Sequence, residues 1–86
     1  MERKELLEKV NVLIEDITSY PVDLAAGKPV DKLHLTNDIG LDSLELTQLI
    51  MSIEDEFGFK VADDEFFAKV RTVGDLLSFI EKGLSE

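Results

Sequence analysis

The most informative segment of the chain is Asp38-Ile39-Gly40-Leu41-Asp42-Ser43-Leu44, which lies just before its most regular amphipathic pattern. Within it, Asp42 stands three positions before Glu45, which is the spacing of a capping box at the start of a helix. Apolar residues then recur at helical intervals over the following turns. We therefore predict a helix over residues 44–57, with Asp42 as its N-cap and Ser43 in its first turn.

Ser43 admits two interpretations from these residues alone. It would lie at the positive end of the helix dipole, where backbone N–H groups have no partner within the helix and could meet an attached phosphate. The carboxylates of Asp42 and Glu45 would repel that phosphate, so the local charges do not favour it by themselves. The alternative is an ordinary N-cap, because serine and aspartate are favoured at helix starts in any protein.

The predicted helix has two apolar faces when its residues are placed at about 3.6 per turn. The wider face, which we expect to pack in the core, consists of Leu46, Leu49, Ile50, Ile53 and Phe57. A narrower strip on the opposite side holds Leu44 and Met51 and is rimmed by acidic residues. A leucine in line with a flexible methionine suits a surface that docks other proteins, and ordinary surface is the alternative.

Together with the acidic helix that follows it, the stretch 38–44 resembles the acyl carrier proteins. The resemblance continues through Phe59-Lys60-Val61-Ala62-Asp63-Asp64-Glu65, which is similar to the family's loop into a short third helix. Residues 72–80 are similar to its last helix, so the resemblance covers most of residues 35–83.

In this family the serine of an Asp-Ser-Leu motif carries a covalent 4'-phosphopantetheine arm, and Ser43, between Asp42 and Leu44, is the matching position. The resemblance implies a carrier and not an enzyme. A phosphopantetheinyl transferase would move the arm from coenzyme A onto the hydroxyl, and the thiol at its tip would hold acyl groups as thioesters. The implied partners are acyl-transfer and chain-elongation enzymes of fatty-acid or related lipid synthesis. The bundle would shelter an acyl chain between its apolar faces.

We predict that partners with basic patches recognise the second helix. The residues expected to carry this recognition are Leu44, Glu45, Thr47, Gln48, Met51, Asp55 and Glu56. Residues 38–65 hold nine carboxylates and one base, Lys60, and such a field steers cationic partners. The alternative is a solvated face that only aids solubility.

Departures from the usual family pattern leave other functions open. Gln48 stands where many fatty-acid carriers have a glutamate, Ala62 where a proline is usual, and Leu35 where a phenylalanine is common. Residues 20–36 are also longer than in the typical fatty-acid member. One alternative is a carrier for polyketide, aminoacyl or other specialised groups. The other, from a different class, is an unmodified acidic helical adaptor.

Composition limits the remaining classes. The 86 residues fit one domain, residues 1–86, and their net charge of −10 argues against nucleic-acid partners, whose phosphates would be repelled. There is no cysteine for a disulfide or a metal site. No apolar run approaches the roughly 18 residues of a membrane span, and the charged start does not resemble a secretory signal. We expect a cytoplasmic monomer.

Two chemical alternatives are weak. His34, the only histidine, allows a triad with Ser43 on paper, but no nucleophile elbow or set of oxyanion donors accompanies it. An EF-hand aligned on Gly40 would put Leu35 and Leu46 at ligand positions, so we expect no metal site.

Three further helices complete the predicted all-α fold, a small four-helix bundle with three main helices, one short helix and a long first loop. The first helix covers about residues 3–18 and ends before Tyr20-Pro21, because a residue before proline avoids the helical region. Its apolar stripe consists of Leu6, Val10, Leu13, Ile14 and Ile17. The connection 19–42, with a short helical turn within 22–26, is expected to be pinned by Val22, Leu24, Val30, Leu33 and Leu35.

The third helix is short, about residues 64–69, with Asp63 as its expected N-cap. Phe66 and Phe67 are expected to supply bulk that closes the bundle.

The fourth helix covers about residues 73–83. Thr72 and Asp75 are expected to form its N-terminal box, and Gly83 its C-terminal stop. Its expected core side consists of Val73, Leu76, Leu77, Phe79 and Ile80.

Overall fold

The computed structural model describes residues 2–19 and 29–85. Its helices are α1 (Arg3–Thr18), α2 (Ser43–Phe57), α3 (Asp63–Lys69) and α4 (Val73–Ser85), and a short 3-10 turn, Val30–Lys32, precedes α2. The predicted all-α bundle of three main helices and one short helix is confirmed. The expectations for Tyr20-Pro21, Val22, Leu24 and the turn within 22–26 lie outside the described residues.

Left-handed residues end the first two helices. Ser19 follows α1 with φ 67°, and its N–H donates to Glu15 O over 2.7 Å. Gly58 follows α2 with φ 76°, and its N–H donates to Glu54 O over 2.9 Å. Each motif satisfies a carbonyl group of the last helical turn, as is common at helix C-termini.

The core of the described residues is entirely apolar. Helix α1 packs against α2 and α4, and α3 packs against α2 and α4. The predicted core faces are confirmed, with half-buried residues such as Leu13, Phe57 and Phe79 at their edges. The fully enclosed side chains include Leu6, Val10, Ile14, Leu49, Ile53, Phe66, Leu76 and Ile80.

Backbone pairing fixes the second half of the long connection to the start of α4. The N–H of Leu35 donates to Arg71 O, and the N–H of Val73 donates to Leu33 O, each over 2.9 Å. These two bonds form an antiparallel bridge between His34 and Thr72. Leu33 and Leu35 are buried, as predicted, so hydrogen bonds and apolar packing act together to place the chain that leads into α2.

Three local expectations were wrong. Asp63 is the first residue of α3 and not its cap, because Ala62 occupies the cap position without a side-chain bond. Phe67 is 44% exposed while Phe66 is enclosed, since neighbours on a helix point about 100° apart and cannot both face the core. Gly83 does not stop α4, which runs on to Ser85. This glycine lies beneath the ring of Phe59, which a Cβ at position 83 would overlap.

Candidate functional site

The start of α2 is held by the predicted capping box. The N–H of Glu45 donates to Asp42 Oδ1 over 2.8 Å, and the N–H of Asp42 donates to Glu45 Oε1 over 3.2 Å. The first bond of the regular helix runs from Leu46 N to Asp42 O over 2.9 Å. These two reciprocal hydrogen bonds between Asp42 and Glu45 fix the position at which the helix starts.

Ser43 is the first helical residue and is exposed. Gly40, with φ 90°, turns the chain before it, and the next residue, Leu41, is 2% exposed. The carbonyl oxygen of Ser43 accepts a hydrogen bond from Thr47 Oγ1 over 2.9 Å. The backbone around Ser43 is therefore fixed by Leu41 and the capping box, while its hydroxyl stays accessible to a second molecule.

A continuous strip runs along α2 from the residue next to Ser43. Leu44 and Met51 are 68% and 60% exposed, and they lie on the same side of α2. Gln48 and Asp55, both exposed, continue the line at helical spacing. We call Leu44, Gln48, Met51 and Asp55 the docking strip.

The other predicted recognition residues also have structural partners. Glu45 belongs to the capping box, and the hydroxyl of Thr47 donates within α2. Glu56 Oε1 lies 3.2 Å from Lys9 Nζ, so this ion pair links α2 to α1. Substitutions at these three positions would alter the helix or its packing as well as its outer surface.

A groove beside the start of α2 was missed by the sequence reasoning. Buried Leu35, Leu46 and Val70 contribute to its lining, together with the exposed ring of Phe67. Its polar lining residues are His34, Thr36, Asn37 and Arg71. The exposed Phe67 is the residue that could have revealed it, but the sequence pattern assigned this ring to the core.

The structure also bears on the alternatives of a catalytic triad, a metal site and a membrane span. His34 lines this groove, and its backbone N–H donates to Asp38 Oδ2 over 2.8 Å. Over residues 2–19 and 29–85, no group of three or more histidine, aspartate or glutamate side chains is arranged to hold a metal ion. Within those same ranges, no helix has the length and apolar character needed to cross a bilayer.

Comparisons with known proteins agree with this geometry. Residues 12–80 match the family described as "Phosphopantetheine attachment site". The chain is 40% identical over 82 residues to an acyl carrier protein of Thermotoga maritima, with 95% of each chain covered. It is 42% identical over 79 residues to an acyl carrier protein of Solidesulfovibrio magneticus, which covers 92% of this chain and 95% of that relative. The fold is similar to a crystal structure of an acyl carrier protein from Thermotoga maritima, with a TM-score of 0.78 and 28% identity, covering 99% of this chain and 93% of that one.

Proposed function

We propose a function for this chain that starts from its family. The chain belongs to the acyl carrier proteins, because residues 12–80 match the phosphopantetheine attachment family and an acyl carrier protein is 40% identical over 82 residues. The chain is a carrier and not an enzyme, and its prosthetic group is a covalently attached 4'-phosphopantetheine. Its partners include a phosphopantetheinyl transferase and acyl-handling enzymes. The attachment residue, the recognition residues and the pathway are the parts that we infer.

Ser43 is the proposed attachment point, and its exposure at the first position of α2 is the observation that carries the proposal. A phosphodiester on its Oγ would lie near the amides of the first helical turn and the positive end of the helix dipole. Asp42 and Glu45 keep their negative charges, and each carboxylate is held in place by the backbone N–H that it accepts. The helix dipole and the remaining amides of the first turn, and not the capping box, are what favour a phosphate there.

The arm turns acyl delivery into a local event. A flexible tether gives its tip an effective concentration of the order of millimolar at a docked enzyme. The partner needs to hold the carrier only briefly, and an apolar strip with nearby charge suits rapid, reversible association. The docking strip has both properties, because Leu44 and Met51 are exposed and Asp55 continues their line. Glu45, Thr47 and Glu56 lie on the same helix and complete the proposed recognition set.

Fatty-acid or related lipid synthesis in the cytoplasm is the proposed setting, with partner enzymes that carry basic patches. A carrier for polyketide, aminoacyl or other specialised groups is the competing assignment. It is supported by Gln48, which is exposed in the middle of the docking strip where many fatty-acid carriers have a glutamate. Loading assays that offer malonyl, acetyl and aminoacyl donors with their transfer enzymes separate the two assignments. Preferential aminoacylation would overturn the lipid assignment and leave the carrier role intact.

The attachment site is tested by intact mass after incubation with coenzyme A and a transferase of broad specificity. We expect one phosphopantetheine on the natural chain and none on Ser43→Ala. The matched control is Ser78→Ala, since Ser78 is also an exposed helical serine but lies on α4. Loading of Ser43→Ala would mean that another residue holds the arm and would overturn the attachment proposal. A natural chain that stays unmodified while still binding basic proteins would favour the adaptor function instead.

A further inference from the structure

A second cleft lies at the end of α2 opposite to Ser43. Helix α2 has 15 residues, so its two ends are separated by about 20 Å at 1.5 Å per residue. The cleft lies just beyond the far end, between that end and the helices α3 and α4. We call it the lysine cleft, and it is lined by Phe59, Lys60, Ala62, Glu65, Phe79, Lys82 and Gly83.

Three carboxylates near the lysine cleft, including Glu65 of its lining, have partners within the chain. Glu65 Oε1 lies 3.1 Å from Lys69 Nζ, and Glu54 Oε2 accepts from Val61 N over 2.9 Å. Asp75, which lines the adjoining groove, accepts through Oδ2 from two backbone amides at the start of α4.

The two cations of the lysine cleft, by contrast, have no acidic partner. Within the described ranges, no carboxylate oxygen lies within 4 Å of the ammonium group of Lys60 or Lys82. Lys4, Lys32 and Arg71 also have no carboxylate within 4 Å in the part of the chain that the structure describes, so what distinguishes this cleft is that two such cations line one space. Their charge favours an anion from outside the chain.

Aromatic rings give the cleft an apolar wall. The ring of Phe59 lies across Gly83, where the missing Cβ leaves room for it. The ring of Phe79 meets the enclosed ring of Phe66 edge to face, with centroids 5.7 Å apart, so the core holds it in place. The space is about 220 Å³, which suits a small molecule better than a peptide or a cofactor.

We propose that the lysine cleft binds a medium-chain alkyl carboxylate. Its carboxylate would lie at the ammonium groups of Lys60 and Lys82, and its alkyl chain would pack against Phe59 and Phe79. Inorganic phosphate would gain the charge attraction without the apolar contact, and an alkyl alcohol would gain the contact without the charge. The site is independent of the attachment serine, because it lies at the other end of α2.

The test is a titration of the full-length Ser43→Ala variant with octanoate, monitored by two-dimensional amide NMR. This variant is used so that loading of the phosphopantetheine arm has no part in the result. We expect saturable shifts confined to the residues of the lysine cleft. Octanol and inorganic phosphate, titrated separately, should each bind more weakly than octanoate. Equal binding of octanol and octanoate would remove the role of the lysines and overturn the proposal.

Charge removal supplies the second arm. The double variant Lys60→Gln/Lys82→Gln should bind octanoate about fivefold more weakly or worse, the scale expected for two exposed charge pairs. Lys4→Gln/Lys32→Gln removes the same charge elsewhere and should leave the affinity unchanged, with circular dichroism showing that both variants stay folded. An equal loss in both variants, or shifts centred on Leu44 and Met51, would contradict the proposal. All of these variants also carry Ser43→Ala. A failure of the lysine-cleft proposal would therefore leave the attachment proposal untouched.

Discussion

Asp42 is the residue on which the geometry of Ser43 depends most directly. Its carboxylate accepts the N–H of Glu45, and its carbonyl accepts the first bond of the regular helix. The side chain of the preceding residue, Leu41, is buried, so the chain is held on both sides of the cap. A single aspartate thus links the apolar core to the exposed hydroxyl.

Replacing Asp42 with alanine should lower the free energy of unfolding by about 1 kcal/mol, the usual effect of losing an N-cap. Asp42→Asn keeps a side-chain oxygen for the N–H of Glu45 and should stay close to the natural chain. Urea unfolding followed by circular dichroism measures both variants. Equal destabilisation by alanine and asparagine would show that the negative charge, and not the cap, is what matters.

The capping box could be predicted because its partners are three residues apart and depend only on local geometry. The position of Phe67 could not, because both phenylalanines of the Phe66-Phe67 pair fit a core pattern and only packing against α2 and α4 selects one. The role of Gly83 could not be predicted either, because it depends on a contact with a distant residue. A glycine near a helix end predicts a stop, whereas here it makes room for Phe59, which lies 24 positions earlier in the chain.

Among the helices, α2 has a buried face and an exposed face for which we propose a role in docking. Its buried face joins the core, and its opposite face carries the docking strip. Helical periodicity in the sequence was enough to separate these faces. It could not show that Glu56 is engaged, because the Lys9–Glu56 pair joins residues that lie 47 positions apart in the chain.

Asp55 is therefore the cleaner position for a recognition test than Glu45 or Glu56. Asp55→Lys should lower kcat/KM for the phosphopantetheinyl transferase about threefold or more at low salt, since one attractive charge becomes repulsive. Glu8→Lys makes the same charge change on an exposed part of α1 and is the matched control. The difference should shrink in high salt. Identical kinetics for the two variants would mean that total charge, and not the docking strip, guides the transferase.

At the scale of the whole molecule, net charge opposes compactness. The chain carries −10 in a body of 34 × 27 × 21 Å. At about 10 mM salt the screening length is near 30 Å, so charges interact across the entire molecule, whereas at 150 mM it is about 8 Å. The ion pairs within the described ranges are exposed, and exposed pairs contribute little to stability.

Added sodium chloride should therefore raise the melting temperature. A gain of about 1 kcal/mol would appear as a rise of roughly 4–8 °C in a chain of this size. Calorimetry at increasing salt measures it, with Glu8→Gln/Asp55→Gln as a variant of lower charge that should respond less. A melting temperature that falls as salt is added would show that the attractive pairs outweigh the repulsion.

The bridge between residues 33–35 and 71–73 has a consequence for how motion is distributed in the molecule. Amides of loops and of the first turn of a helix normally exchange with deuterium quickly, but those of Leu35 and Val73 are bonded across the chain to carbonyl groups of Arg71 and Leu33. We expect both protons to exchange as slowly as those in the middle of α2, as mass spectrometry of deuterated fragments would reveal. Rapid exchange at both would mean that the connection opens independently of the helices. Slow exchange would mean that the peptide leading to Ser43 moves as one unit with the helices, so that a group attached at this proposed site would owe its movement to its tether alone.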